Sequence, residues 1–134
     1  MDNKEFLSKE QYEALSELNY DGDYDFVYHA TGELWERGKK EKKERFLPAP
    51  LKQQVLRWFR EKYGWYANIS SWLHEEEIGI YHEYEIYGTP KGAYGSIVFK
   101  TYEEAENNAI YKLISIAKQQ DISQGEYDNI QAGN

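Results

Sequence analysis

Residues 65–88, WYANISSWLHEEEIGIYHEYEIYG, decide the fold. From Trp65 to His74 the side chains alternate, so Trp65, Ala67, Ile69, Ser71 and Leu73 fall on one face of an extended chain. Tyr66, Asn68, Ser70, Trp72 and His74 fall on the other. The first set reads as the core face. Glu75-Glu76-Glu77 supplies a turn, after which Ile78, Ile80, His82, Tyr84 and Ile86 line one face of a second strand and Gly79, Tyr81, Glu83, Glu85 and Tyr87 the opposite one. Gly88-Thr89-Pro90-Lys91-Gly92 makes a second turn. Tyr94 to Lys100 is expected as a third strand, with Ile97 and Phe99 directed inward. Three strands joined by short turns form an antiparallel meander.

Helices flank this meander. Upstream, Leu51, Val55, Trp58, Phe59 and Tyr63 recur at helical spacing behind Pro48 and Pro50, and Gly64 supplies the stop. Downstream, Thr101-Tyr102-Glu103-Glu104 matches a capping box, in which Thr101 caps the helix and Glu104 reaches back. Tyr102, Ala105, Ala109, Leu113, Ile116 and Ala117, widened by Ile110 and Ile114, form the apolar stripe of the helix it opens. Residues 48–118 thus read as an α+β unit in the order α-β-β-β-α. Residues 119–134 turn polar and are expected as a largely disordered tail.

Residues 1–47 read as an N-terminal extension. Ser8 to Leu18 forms a short amphipathic helix, with Ser8 as cap and Gln11 three residues on. Asp25 to His29 and Leu34-Trp35 pair as a hairpin across Ala30 to Glu33. Gly38 to Arg45 is a charged run without apolar periodicity, which reads as a solvated linker.

Composition narrows the function classes. The 134 residues suit one ordinary domain, and 13 Tyr, 5 Phe and 4 Trp supply much of its buriable surface. The absence of cysteine excludes disulfides, thiolate nucleophiles and Cys-type zinc sites. No signal-peptide pattern opens the chain and no apolar run approaches a membrane span, so a cytoplasmic, membrane-free protein is expected. The net charge of −8 is distributed as −4 over residues 1–47, −1 over 48–119 and −3 over 120–134. An acidic protein repels nucleic acid unless a local basic face overrides the mean.

Chemical constellations are sparse, and no catalytic group, metal site or cofactor is assigned. Asp21, Asp23 and Asp25 match the first three ligands of a calcium loop, but Phe26 and Gly32 stand where it needs glycine and a bidentate glutamate. An acidic turn is the better reading. His29, His74 and His82 lack metal-ligand spacing, and His82, on an otherwise apolar strand face, reads as a satisfied histidine. No phosphate loop or nucleophile elbow is present.

The order over residues 48–118 resembles the double-stranded RNA-binding domain, and Glu103-Glu104-Ala105-Glu106-Asn107-Asn108-Ala109 sits where that family has a lysine-rich helix start. The resemblance covers about half the chain and implies the shape without the RNA site, because Glu103, Glu104 and Glu106 replace phosphate-holding lysines. More locally, Leu47-Pro48-Ala49-Pro50, Gln53-Gln54, Trp58 to Tyr63 and Lys100 to Ala105 resemble small uncharacterised proteins of gut bacteria and their phages. That likeness implies an intracellular accessory protein of phage-related origin, without an assigned activity.

Two functions follow as expectations. The first is a non-enzymatic protein-interaction module whose strand face carries Tyr66, Trp72, Tyr81, Glu83, Glu85 and Tyr87 toward a basic protein partner. Should the N-terminal helix and hairpin pack on that face, they would bury it instead. The second is a nucleic-acid-binding protein using Lys39, Lys40, Lys42, Lys43 and Arg45 of the charged run with Arg57, Arg60 and Lys62 of the helix.

Overall fold

A computed structural model describes residues 3–29, 31–37, 47–74, 79–95 and 98–132. Its elements are α1 (Lys9–Ser16), β1 (Phe26–Tyr28), β2 (Leu34–Glu36), β3 (Leu47–Pro48), α2 (Lys52–Tyr63), β4 (Tyr66–His74), β5 (Gly79–Thr89), β6 (Gly92–Gly95) and α3 (Tyr102–Ala132). They form two three-stranded antiparallel sheets, ordered β2-β1-β3 and β4-β5-β6. The expected mixed α+β architecture, with helix, strands and helix in that order, is present.

Local chemistry sets the helix ends. The Ser8 hydroxyl accepts from the Gln11 N–H at 3.1 Å, and the Gln11 carbonyl oxygen Oε1 accepts from the Ser8 N–H at 2.9 Å, so two otherwise orphan donors are satisfied at the start of α1. Gln54 Oε1 does the same for the Leu51 N–H at the start of α2. Gly64 ends α2 with a left-handed φ of 75°, which costs glycine little. Gly88 serves the same crossing from β5. A Cβ placed on it would stand 2.5 Å from the Gly64 carbonyl oxygen, so this close approach of two backbones excludes a side chain.

The main core forms where α1, α2 and α3 meet the inner face of the larger sheet. Leu7, Leu15, Leu18, Val55, Phe59, Trp65, Ile86, Ile110 and Leu113 are all buried in one cluster. Phe59, Tyr63 and Trp65 stack across the α2–β4 corner, with Tyr63 and Trp65 centroids 4.5 Å apart. A satellite core of Phe6, Tyr28 and Ala49 lies under the small sheet, tied to the main one by the Tyr28 hydroxyl donating to the Leu7 carbonyl at 2.8 Å. The segment before α2, for which no strand was expected, gives β3 by pairing Leu47 and Pro48 with Tyr28 and Val27. Proline is tolerated there because β3 is an edge strand.

Two boundaries differ from expectation. Where a strand from Tyr94 to Lys100 was expected, β6 is described over Gly92–Gly95, and Phe99 forms a bridge to His82 with backbone bonds of 2.7 and 2.9 Å. Glycines at 92 and 95 and an irregular register between Ile86 and Thr89 weaken the ladder. Ile97 lies outside the described residues, as do Glu75 to Ile78. Helix α3 does not end at Lys118 but continues through Ala132, where a disordered tail was expected. Once nucleated, a helix propagates without repeating the nucleation cost, so a polar sequence lacking proline extends it.

Candidate functional site

Nine consecutive pairs join β4 to β5, from Tyr66 opposite Tyr87 to His74 opposite Gly79. This register sorts the side chains into two faces. On the inner face, Ala67 opposes Ile86 and Ile69 opposes Tyr84, and all four pack in the main core. On the outer face the rows are Tyr66/Tyr87, Asn68/Glu85, Ser70/Glu83 and Trp72/Tyr81. The structure therefore brings all six residues of the expected aromatic-acidic face together.

The N-terminal elements leave this face open. Leu7, Leu15 and Leu18 join the cluster built by α2 and α3, on the opposite side of the sheet. Tyr66 is 56% exposed, Tyr87 44% and Trp72 36%, too much for residues covered by a packed element. The cover by the N-terminal helix and hairpin that the sequence allowed is thus not made.

The face has a definite relief. Aromatic pairs stand at both ends, with the Trp72 and Tyr81 rings 5.6 Å apart and tilted by 32°. Between them the β4 side is low, occupied by Asn68 and Ser70, and the β5 side carries the carboxylates of Glu83 and Glu85. The Tyr87 hydroxyl donates to Glu85, which fixes that carboxylate beside the ring. A saddle of two carboxylates between aromatic ridges suits a cation, which the acids attract and the ring faces accept.

Of the cations of the nucleic-acid reading, Arg57 and Lys62 stand among acids. Lys39, Lys40, Lys42, Lys43 and Arg45 lie outside the described residues. Arg57 and Lys62 are exposed and share a cavity of about 380 Å³ with Asp21, Asp23 and Glu61. Lys62 is engaged locally, its ammonium 4.7 Å from the Trp58 ring centre and 3.5 Å from the Leu18 carbonyl. Arg60 is half-buried. The acidic turn is itself structural: Asp21 accepts from the Trp58 indole N–H at 2.6 Å, and that bond holds its carboxyl below the usual range. Gln54 donates to Asp25 at 3.3 Å.

His82 has the satisfied environment expected of it. Its Nδ1 lies 2.6 Å from the Ser71 hydroxyl, and its ring meets Tyr102 edge-on at 6.1 Å. The register sets His82 opposite Ser71 and His74 opposite Gly79, so the two histidines are not cross-strand partners. Among the described residues, no three His, Asp or Glu side chains converge as a metal site, and no helix is long and apolar enough to cross a membrane.

A buried polar group escaped the sequence reading. Lys52 and Glu106 are 4% and 6% exposed, with their charged atoms 3.9 Å apart, and Gln53 donates to Glu106 at 3.0 Å. Burial pushes the Glu106 carboxyl above its ordinary range, against the opposing pull of Lys52 and Gln53. The available signal was positional. Glu106 stands four residues before Ile110 and Lys52 three before Val55, so each charge sits on its own helix's apolar stripe and needs a partner.

No family model, curated protein or solved structure matches this chain.

Proposed function

We propose that the protein is a non-enzymatic interaction module that receives a basic segment of a protein partner on the outer face of β4 and β5. The observation that carries this reading is two adjacent acidic rows held between aromatic pairs on the sheet face opposite the main core, with Tyr66, Trp72 and Tyr87 exposed. Tyrosine and tryptophan give large contact area at low entropic cost and are enriched among the residues that dominate binding energy at protein interfaces. Glu83 and Glu85 select the sign of the partner's charge. A surface that ordinarily holds an anionic polymer would fit, which is compatible with an accessory or inhibitor protein acting by acidic mimicry.

Charge reversal tests the reading. A lysine-rich peptide is expected to bind the wild-type chain and to lose binding on Glu83→Lys/Glu85→Lys, while the circular dichroism spectrum and melting temperature hold. Equal affinity for both proteins contradicts it. Duplex RNA run alongside at low salt separates the alternative: RNA binding that weakens steeply with salt and is lost on Arg57→Glu/Arg60→Glu would replace the proposed function with a nucleic-acid one.

A further inference from the structure

The two edges of the larger sheet are built differently. β6 has four residues, two of them glycine, and an irregular register against β5. β4 has nine residues in unbroken register, and β5 is its one strand neighbour among the described residues. Natural sheet edges are guarded by lysine, proline, bulges or brevity, because an open row of backbone donors and acceptors recruits another strand. β4, Tyr-Ala-Asn-Ile-Ser-Ser-Trp-Leu-His, has no acid, no lysine or arginine, no proline and no bulge.

We propose that two copies of the chain join edge to edge through β4, antiparallel about a two-fold axis at Ser70, to make one six-stranded sheet. An isologous contact requires a self-complementary strand, and the register of β4 supplies one. About Ser70, Ile69 opposes Ser71, Asn68 opposes Trp72, and Ala67 opposes Leu73, so large side chains meet small ones on each face. Leu73, 67% exposed in the single chain, comes to lie beside Ala67 of the other copy at the rim of the main core. Association therefore covers apolar surface that no described element of one chain covers.

Electrostatics permit the pairing despite the net charge of −8 on each copy. The carboxylates of the outer face sit on β5, three strand spacings from those of the second copy. That is about 14 Å, beyond a screening length of about 8 Å at physiological salt. The dimer would fuse two outer faces into one surface with two rows of Glu83 and Glu85. Its formation rests on the edge and not on the proposed basic partner.

Sedimentation of the full chain over a concentration series, without any peptide, tests the inference. The wild type is expected to sediment as a dimer at micromolar concentration. Ser70→Lys sets two like charges on the axis and is expected to weaken dimerisation at least about tenfold, with the fold intact by circular dichroism. As a second variant, Ser70→Cys introduces the chain's one thiol and is expected to oxidise to a covalent dimer, whereas Tyr66→Cys, far from the axis, does not. A wild-type monomer throughout the series overturns the proposal, as does a dimer that is indifferent to Ser70→Lys and cross-links equally well through Tyr66→Cys.

Discussion

The two halves of the β4–β5 hairpin follow one alternation and meet different surroundings. Near the Tyr66/Tyr87 end the inner residues Ala67, Ile69, Tyr84 and Ile86 lie under α2 and α3. At the other end the same face carries Leu73 and Ile80, 67% and 61% exposed, directly opposite each other. Period-two alternation assigns residues to faces, but whether a face is covered depends on where the helices lie. A half-covered hairpin is thus scaffold at one end and available surface at the other.

The largest effect expected lies off the hairpin, between the starts of α2 and α3, where charge is buried with apolar residues. Lys52→Met removes the counter-charge of Glu106 and should cost about 3–5 kcal/mol, because an unpaired buried carboxylate remains. Adding Glu106→Leu should restore most of that loss. Denaturant unfolding of the single and double variants measures both, and a double variant no better than the single would mean that the two residues are not energetically coupled.

Ile86→Ala and Ile80→Ala compare the halves directly. Ile86 is fully buried, so its truncation should cost about 2–5 kcal/mol, whereas the exposed Ile80 should change stability by no more than about 0.5 kcal/mol. Similar losses at both positions would show that the far half is covered after all.

A smaller effect should appear with pH. Burial raises the Glu106 pKa in the folded state, so the folded chain holds that proton more tightly than the unfolded one. Stability from this group is full below the ordinary carboxylate range and is lost as pH rises through the raised value. The melting temperature of the wild type relative to Glu106→Gln should therefore fall as pH climbs from that range toward neutrality. A flat difference would remove burial as the dominant influence on Glu106.

Much of the fold was legible because its signals are local. The Ser8 and Gln11 capping box, the Thr101 cap that accepts from the Glu104 N–H at 3.1 Å, and the Gly64 stop each lie within a few residues. So do the β4 and β5 alternations and the hairpin at β1 and β2. The six residues of the outer face were legible for the same reason, since period two places them without knowledge of what packs opposite. What was not legible depends on distant segments. Lys52 meets Glu106 across more than fifty residues, and only packing decides that α1 joins the helices rather than the outer sheet. The run beyond Lys118 looked unstructured because it lacks an apolar stripe, yet a helix needs a stripe for docking and not for its own hydrogen bonds.

The most direct test of the central claim is a titration of the isotope-labelled chain with a lysine-rich peptide, followed residue by residue through amide chemical shifts. Shifts concentrated at Tyr66, Asn68, Ser70, Trp72, Tyr81, Glu83, Glu85 and Tyr87 are predicted. Shifts that instead gather around Asp21, Asp23 and Glu61, or that are absent at saturating peptide, would contradict the assignment of the outer sheet face as the binding surface.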